Sequence, residues 1–223
     1  MITALIFDFD GLIVDTETPD YQAWQEVFAT HGCALSTETW AISIGSSHML
    51  DPYDHLESLL GHPIDRPAIR SMVRARFLDL LGSPAPLPGV LDYLNAAPAL
   101  GLQVGLASSS PRAWVVGYLE QLGLLGHFAA ICTSDDVART KPEPDLYLAA
   151  LAKLGVAPAQ AVALEDSPNG VRAAQAAGMR GVAVPNPVTR LMDLSHADLV
   201  LPGLDRLPLS TLLAQLAALP VRA

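Results

Sequence analysis

Four clusters of polar residues in this 223-residue chain have the types and spacing needed to handle a phosphoryl group. Asp8-Phe9-Asp10-Gly11 sets two carboxylates where both can face one bound ion, and Gly11 permits the sharp turn that re-aims the chain. An aspartate near its usual pKa of about 4 is ionised at neutral pH and is a ready nucleophile. Its obstacle is repulsion from an anionic phosphate, which a metal ion offsets. The second aspartate could protonate a leaving oxygen and later take a proton from water, a role that needs a raised pKa. In Ser108-Ser109-Ser110-Pro111, a hydroxyl followed by free backbone N–H groups suits a phosphate. Ser108 is expected to face the site and Ser110 to cap a helix that Pro111 opens. Thr140-Lys141-Pro142-Glu143-Pro144-Asp145 holds an ammonium in a stretch that two prolines stiffen. Glu165-Asp166-Ser167-Pro168-Asn169-Gly170 brings the hard oxygen ligands that Mg²⁺ prefers. Each cluster alone also reads as plain structure: an Asp-rich turn, a capped helix start, a solvated lysine, and a second helix start whose acids favour its dipole.

Their position relative to the predicted elements joins them. Apolar runs at residues 3–7, 103–107, 161–164 and 181–184 suit buried parallel strands, with weaker candidates at 128–132 and 198–201. Helical patterns at 89–100, 111–122, 145–154, 168–177 and 210–216 separate or follow them. This alternation predicts an α/β fold with a parallel sheet covered on both faces. Such sheets place their sites beyond the carboxyl ends of the strands, where all four clusters fall. Residues 17–87 break the alternation and read as four helices, at 21–31, 37–44, 54–60 and 67–81, ending in the stiff connector Ser83-Pro84-Ala85-Pro86-Leu87-Pro88-Gly89. A helical subdomain inserted after the first strand could close over the strand ends as lids do. The expected division is a core of residues 1–16 and 88–223 and a helical cap of residues 17–87.

Composition narrows the class. Half the residues are hydrophobic and the formal net charge is −10, which argues against a nucleic-acid binder. Lysine occurs only at Lys141 and Lys153. Cys33 and Cys132 are isolated and form no metal knuckle, so reduced thiols are expected. Neither a signal-peptide pattern nor a long uninterrupted apolar stretch occurs, and a cytoplasmic protein without membrane partners is expected. No distinct apolar face suggests an oligomer, and a monomer is the expectation.

Phe7-Asp8-Phe9-Asp10-Gly11-Leu12-Ile13-Val14-Asp15-Thr16-Glu17, Ala107-Ser108-Ser109-Ser110, Lys141-Pro142-Glu143-Pro144-Asp145 and Leu164-Glu165-Asp166-Ser167-Pro168-Asn169-Gly170 together resemble the haloacid dehalogenase-like hydrolases, in their order and approximate spacing. The chain looks closest to the subgroup of β-phosphoglucomutase and small sugar-phosphate phosphatases, which implies a Rossmann-like core with a helical cap. The resemblance implies an aspartyl-phosphate on Asp8, acid/base work by Asp10, and phosphoryl binding by Ser108, Ser109 and Lys141, with Lys141 also steadying Asp8. It further implies Mg²⁺ held by Asp8, the backbone carbonyl of Asp10 and Asp166, with Glu165 assisting. The implied partner is a small phosphorylated metabolite.

The reaction can be narrowed further. Dehalogenases of this kind need no Mg²⁺ and lack the second aspartate, which Asp10 supplies here. A phosphonatase uses a cap lysine, and residues 17–87 contain none. The mutase carries a His at the position of Asp20, and an Arg near His48 and a later cap Lys that hold its second phosphate; none is matched here. That points to hydrolysis, with the mutase as the alternative and an inactive binding protein as a third reading. Gly45-Ser46-Ser47-His48 could be a loop that reaches the site or a plain turn between helices. Asp20, and the arginines at 66, 70, 74 and 76, read as solvated. Trp24 and Trp40 read as packing within the cap, and His31, His55, His62, His127 and His196 show no ligand spacing.

Overall fold

The computed structural model describes residues 1–44 and 51–220. Six strands form one wholly parallel sheet: β1 (Ala4–Phe7), β2 (Gln103–Ala107), β3 (Ala130–Cys132), β4 (Ala161–Glu165), β5 (Arg180–Ala183) and β6 (Leu199–Val200), in the order β3-β2-β1-β4-β5-β6. The chain fills one side of β1 and then crosses to the other, so the order reverses between β1 and β4. A crevice opens at such a point because the connections leaving neighbouring strands go to opposite faces.

The two faces differ as strand alternation requires. Leu5, Phe7, Val104, Leu106, Val162 and Leu164 point to one face, packed under α5 (Val90–Ala99), α6 (Arg112–Gln121) and α9 (Leu209–Ala218). Ala4, Ile6, Ala161 and Ala163 point to the other, against α7 (Asp145–Leu154) and α8 (Pro168–Ala176). The alanine-rich face lets α7 and α8 sit close to the sheet.

Among the described residues, four helices lie between β1 and α5: α1 (Glu17–Thr30), α2 (Thr37–Ile44), α3 (Pro52–Leu60) and α4 (Arg66–Leu81). Asp51 caps α3 through the Tyr53 amide at 2.7 Å, and Asp65 caps α4 through the Ala68 amide at 3.0 Å, each with proline in the first turn. Trp24, Val27 and Phe28 of α1 are buried with Ile69, Val73 and Phe77 of α4. Trp40 is buried, its ring 5.9 Å from that of Tyr21, in keeping with a packing role. The sequence-predicted elements recur, some with identical ends and the others shifted by at most four residues, and the Gly45-Ser46-Ser47-His48 loop lies outside the described residues. No helix among the described residues is long and apolar enough to cross a membrane. Cys33 and Cys132 are free thiols.

Candidate active site

Asp8 continues the side-chain parity of Ala4 and Ile6, and Glu165 that of Ala161 and Ala163. Phe7 pairs with Leu164, so Asp8 and Glu165 leave adjacent strands at one height and on the α7 face. Tyr147 of α7 donates its hydroxyl to Glu165 Oε1 at 2.5 Å. Lys141, on the loop before α7, places Nζ 2.5 Å from Asp8 Oδ1, 2.5 Å from Glu165 Oε1 and 2.8 Å from the Ala107 carbonyl oxygen. Its three donors are thereby all used. Asp166 Oδ2 accepts from Asn186 Nδ2 at 2.8 Å, and the same amide donates to the Gly11 carbonyl at 3.3 Å, tying the β1 loop to the β4 loop. Two glycines make these approaches possible. Gly11 has φ of 77°, and a Cβ there would meet the Asp166 carboxylate; a Cβ on Gly170 would collide with that of Glu165.

The result is a buried cluster of three acids and one ammonium. Oxygens of Asp8, Glu165 and Asp166 lie within 4.8 Å of one another. Burial pushes the Asp8 carboxyl up to about 7, Lys141 opposing and Glu165 adding to the shift. Burial, with the Asp8, Glu17 and Glu165 charges, holds Asp166 well above the ordinary aspartate value. Burial alone would lower the Lys141 ammonium, but Asp8 and Glu165 hold it above the usual lysine value. Negative charge therefore exceeds positive in a site of hard oxygen donors, and this donor set fits a divalent cation of the Mg²⁺ type. The free-aspartate pKa assumed for Asp8 does not hold in the protein alone: desolvation raises it, and a bound cation would lower it again.

Asp10 is held apart from these acids. Its Oδ2 accepts from the Ser110 hydroxyl at 2.6 Å and from Ser108 at 3.4 Å, and its Oδ1 accepts from Trp114 Nε1 at 3.0 Å. Its carboxylate is thus engaged by three donors from the β2 end and α6. Ser110 does not cap α6, as the sequence suggested. Pro111 takes the N-cap position, and the Ser110 side chain reaches Asp10 instead. Ser108 is buried, its Oγ accepting from the Ser110 amide at 3.0 Å, while Ser109 is exposed at the mouth. Ser167 does cap α8, through the Gly170 amide at 3.1 Å, and also donates to Glu165 Oε2 at 3.3 Å.

These residues floor a cleft of about 860 Å³ whose opposite wall comes from the inserted helices. Glu17, Asp20 and Trp24 of α1 line it with Tyr53 of α3 and Arg70, Arg74 and Phe77 of α4. Asp20 is not a solvated residue: burial raises its carboxyl to about 6 against the opposing charge of Arg74. Burial and the neighbouring Asp20, Asp10, Asp8 and Asp15 raise Glu17 to about 8. The arginines of α4 are not one solvated face either. Arg66 pairs with Asp54 and Glu57, and Arg76 with Glu26 and Asp79, whereas Arg70 and Arg74 line the cleft. Arg74 lies 4.9 Å from the ring centre of Trp114 and 5.4 Å from that of Phe77.

Sequence reasoning missed Tyr147, Trp114, Asn186, Glu17 and the two cleft arginines. Only the local Asp15-Thr16-Glu17 stretch carried any signal for one of them.

The sequence profile described as haloacid dehalogenase-like hydrolase matches residues 5–184. The chain is 46% identical to the protein YhcW of Bacillus subtilis (strain 168), covering 97% of this chain and 98% of that one. It is 35% identical to hexitol phosphatase B of Escherichia coli (strain K12), over 83% of this chain and 85% of the other. The crystal structure of CbbY from Rhodobacter sphaeroides in complex with phosphate superposes with a TM-score of 0.71 at 32% identity, covering 95% of this chain and 99% of that chain.

Proposed function

The chain belongs to the haloacid dehalogenase-like hydrolases and is a phosphoric monoester hydrolase of that family; we propose that it is a Mg²⁺-dependent phosphatase of a small sugar phosphate that works through an aspartyl-phosphate on Asp8. The observation that carries this reading is the placement of Asp8 Oδ1 against Lys141 Nζ at 2.5 Å, beside Glu165 and Asp166 at the β1–β4 crevice. In the first step an Asp8 oxygen bonds to phosphorus, the ester P–O bond breaks, and Asp10 gives its proton to the leaving oxygen. In the second, a water attacks the same phosphorus, Asp10 takes its proton, and inorganic phosphate leaves a free Asp8. Lys141 and Ser108 hold phosphoryl oxygens, and Glu165 with Tyr147 fixes the ammonium. Asp8, Asp166 and the Asp10 carbonyl would hold Mg²⁺, which offsets the repulsion between carboxylate and phosphate. Residues 17–87 act as a cap that shelters the cleft and selects the alcohol part of the ester.

The test is phosphate release from p-nitrophenyl phosphate and a panel of sugar phosphates, with and without Mg²⁺. Release that requires Mg²⁺ is expected, and its absence across a broad panel would sink the proposal. Conversion of β-glucose 1-phosphate to the 6-phosphate faster than phosphate release would replace the phosphatase with a mutase.

Trp114 is expected to matter through Asp10. Trp114→Phe keeps a ring beside Phe77 and Tyr118 but removes the N–H that fixes Asp10 Oδ1. A loss of about one hydrogen bond corresponds to a fall in kcat of roughly tenfold. Unchanged kcat in steady-state assays would show that this bond does not position the acid.

A further inference from the structure

We propose that Arg70 and Arg74 form a second anion-binding subsite across the cleft from Asp8, so that the substrate carries negative charge at both ends. The proposal rests on the phosphatase reading above for the position of the first phosphate. Four arginines lie on α4, and the structure divides them into two pairs. Arg66 and Arg76 are each paired with two acids, Asp54 and Glu57 for the first and Glu26 and Asp79 for the second. Arg70 and Arg74 stand four residues apart, on one helix face. Both line the cleft, and neither makes an ion pair among the described residues. Lys141 sits at the floor of the cleft beside Asp8 and belongs to the site of the first phosphate.

Arg74 is held in place. Its guanidinium lies over the Trp114 ring at 4.9 Å and over Phe77 at 5.4 Å, contacts that orient the group while leaving its N–H donors free. The same indole donates to Asp10, so Arg74 sits one ring away from the acid/base carboxylate. Asp20 lies within electrostatic reach of Arg74 without pairing with it. A cleft of about 860 Å³ has room for far more than one phosphate. A substrate anchored at Asp8 and long enough to cross it therefore meets two fork-shaped cations, which suit a phosphate or a carboxylate. A neutral sugar tail would leave both without a partner.

The experiment measures Kd by titration calorimetry in the Asp8→Asn full-length protein with Mg²⁺, so that ligands bind without turnover. The probes are glucose 6-phosphate, glucose 1,6-bisphosphate and 6-phosphogluconate. The two doubly anionic ligands are expected to bind about tenfold or more tightly than glucose 6-phosphate. That preference should disappear when Arg70→Gln and Arg74→Gln are added, and survive Arg76→Gln, which removes an arginine of the same helix that is already paired with Glu26 and Asp79. Preference for the bisphosphate alone assigns the tail as a phosphate, and preference for 6-phosphogluconate alone as a carboxylate. Equal Kd values for all three ligands would overturn the proposal, and so would a preference that survives loss of Arg70 and Arg74. Failure of the wild type to release phosphate would instead count against the phosphatase reading, because the binding comparison does not depend on turnover.

Discussion

Asp8→Asn is expected to lower kcat by on the order of 10⁴-fold or more while leaving the metal-free protein at least as stable as the wild type. The loss of activity follows from the proposed chemistry, because an amide oxygen cannot form the acyl phosphate that a carboxylate forms. The stability follows from the buried charge. Asp8, Glu165 and Asp166 share one ammonium, and burial already raises Asp8 to about 7. A carboxyl whose pKa is higher in the folded chain than in the unfolded one binds extra protons when folded. Folding therefore weakens as pH rises from about 4 to about 7. Asparagine removes that part of the pH dependence and can still accept from Lys141. The two proteins should have similar stability near pH 4 and differ by up to about 4 kcal/mol in favour of the variant near pH 8. Saturating Mg²⁺ should narrow the gap by stabilising the wild type more. Urea denaturation at the two pH values, with and without Mg²⁺, measures this. A variant that is less stable than the wild type at pH 8 without metal would show that the Asp8 charge holds the site together rather than straining it.

The acids of the site stood out in the sequence because a buried parallel strand is an apolar run, and a carboxylate directly after it has few structural reasons to be there. Asp8, Ser108 and the Glu165-Asp166 pair could be located in that way, and Lys141 because lysine is so scarce. The partners of these residues could not. Trp114 meets Asp10 and Asn186 meets Gly11 only because the sheet brings distant segments together. Ser110 shows the limit well. Serine before proline at a helix start reads locally as a cap, yet Asp10 lies close enough to take its hydroxyl. Arg66, Arg70, Arg74 and Arg76 are alike in type, and only the docking of α4 against α1 and over the cleft decides which two line it. The raised carboxyl of Asp8 was equally hidden, since desolvation is a property of the folded surroundings and not of the motif.

Lys141→Met is expected to cost both activity and stability, in contrast to the loss of Asp8. The methionine fills a similar volume but leaves Asp8 and Glu165 facing each other without a cation, with Asp166 beside them. Removing one partner of a buried charge cluster typically costs about 3–5 kcal/mol, because the remaining charges stay desolvated. In the wild type the ammonium is held above the ordinary lysine value, so its contribution is complete through the neutral range and fades only as pH rises past that value. The carboxyls set the pH dependence of the variant. Near pH 5 Asp8 and Asp166, both raised by burial, can protonate and relieve the repulsion, which they do less readily near pH 8. The deficit in stability should therefore be larger at pH 8 than at pH 5, and Mg²⁺ should recover part of it by supplying the missing positive charge. Turnover should fall by roughly 10³-fold even with metal, since the charge that meets the phosphoryl oxygens is gone. Thermal unfolding at both pH values tests the first part. An equal deficit at pH 5 and pH 8 would mean that Lys141 contributes packing rather than charge, and a variant with near wild-type turnover would remove it from the phosphate site.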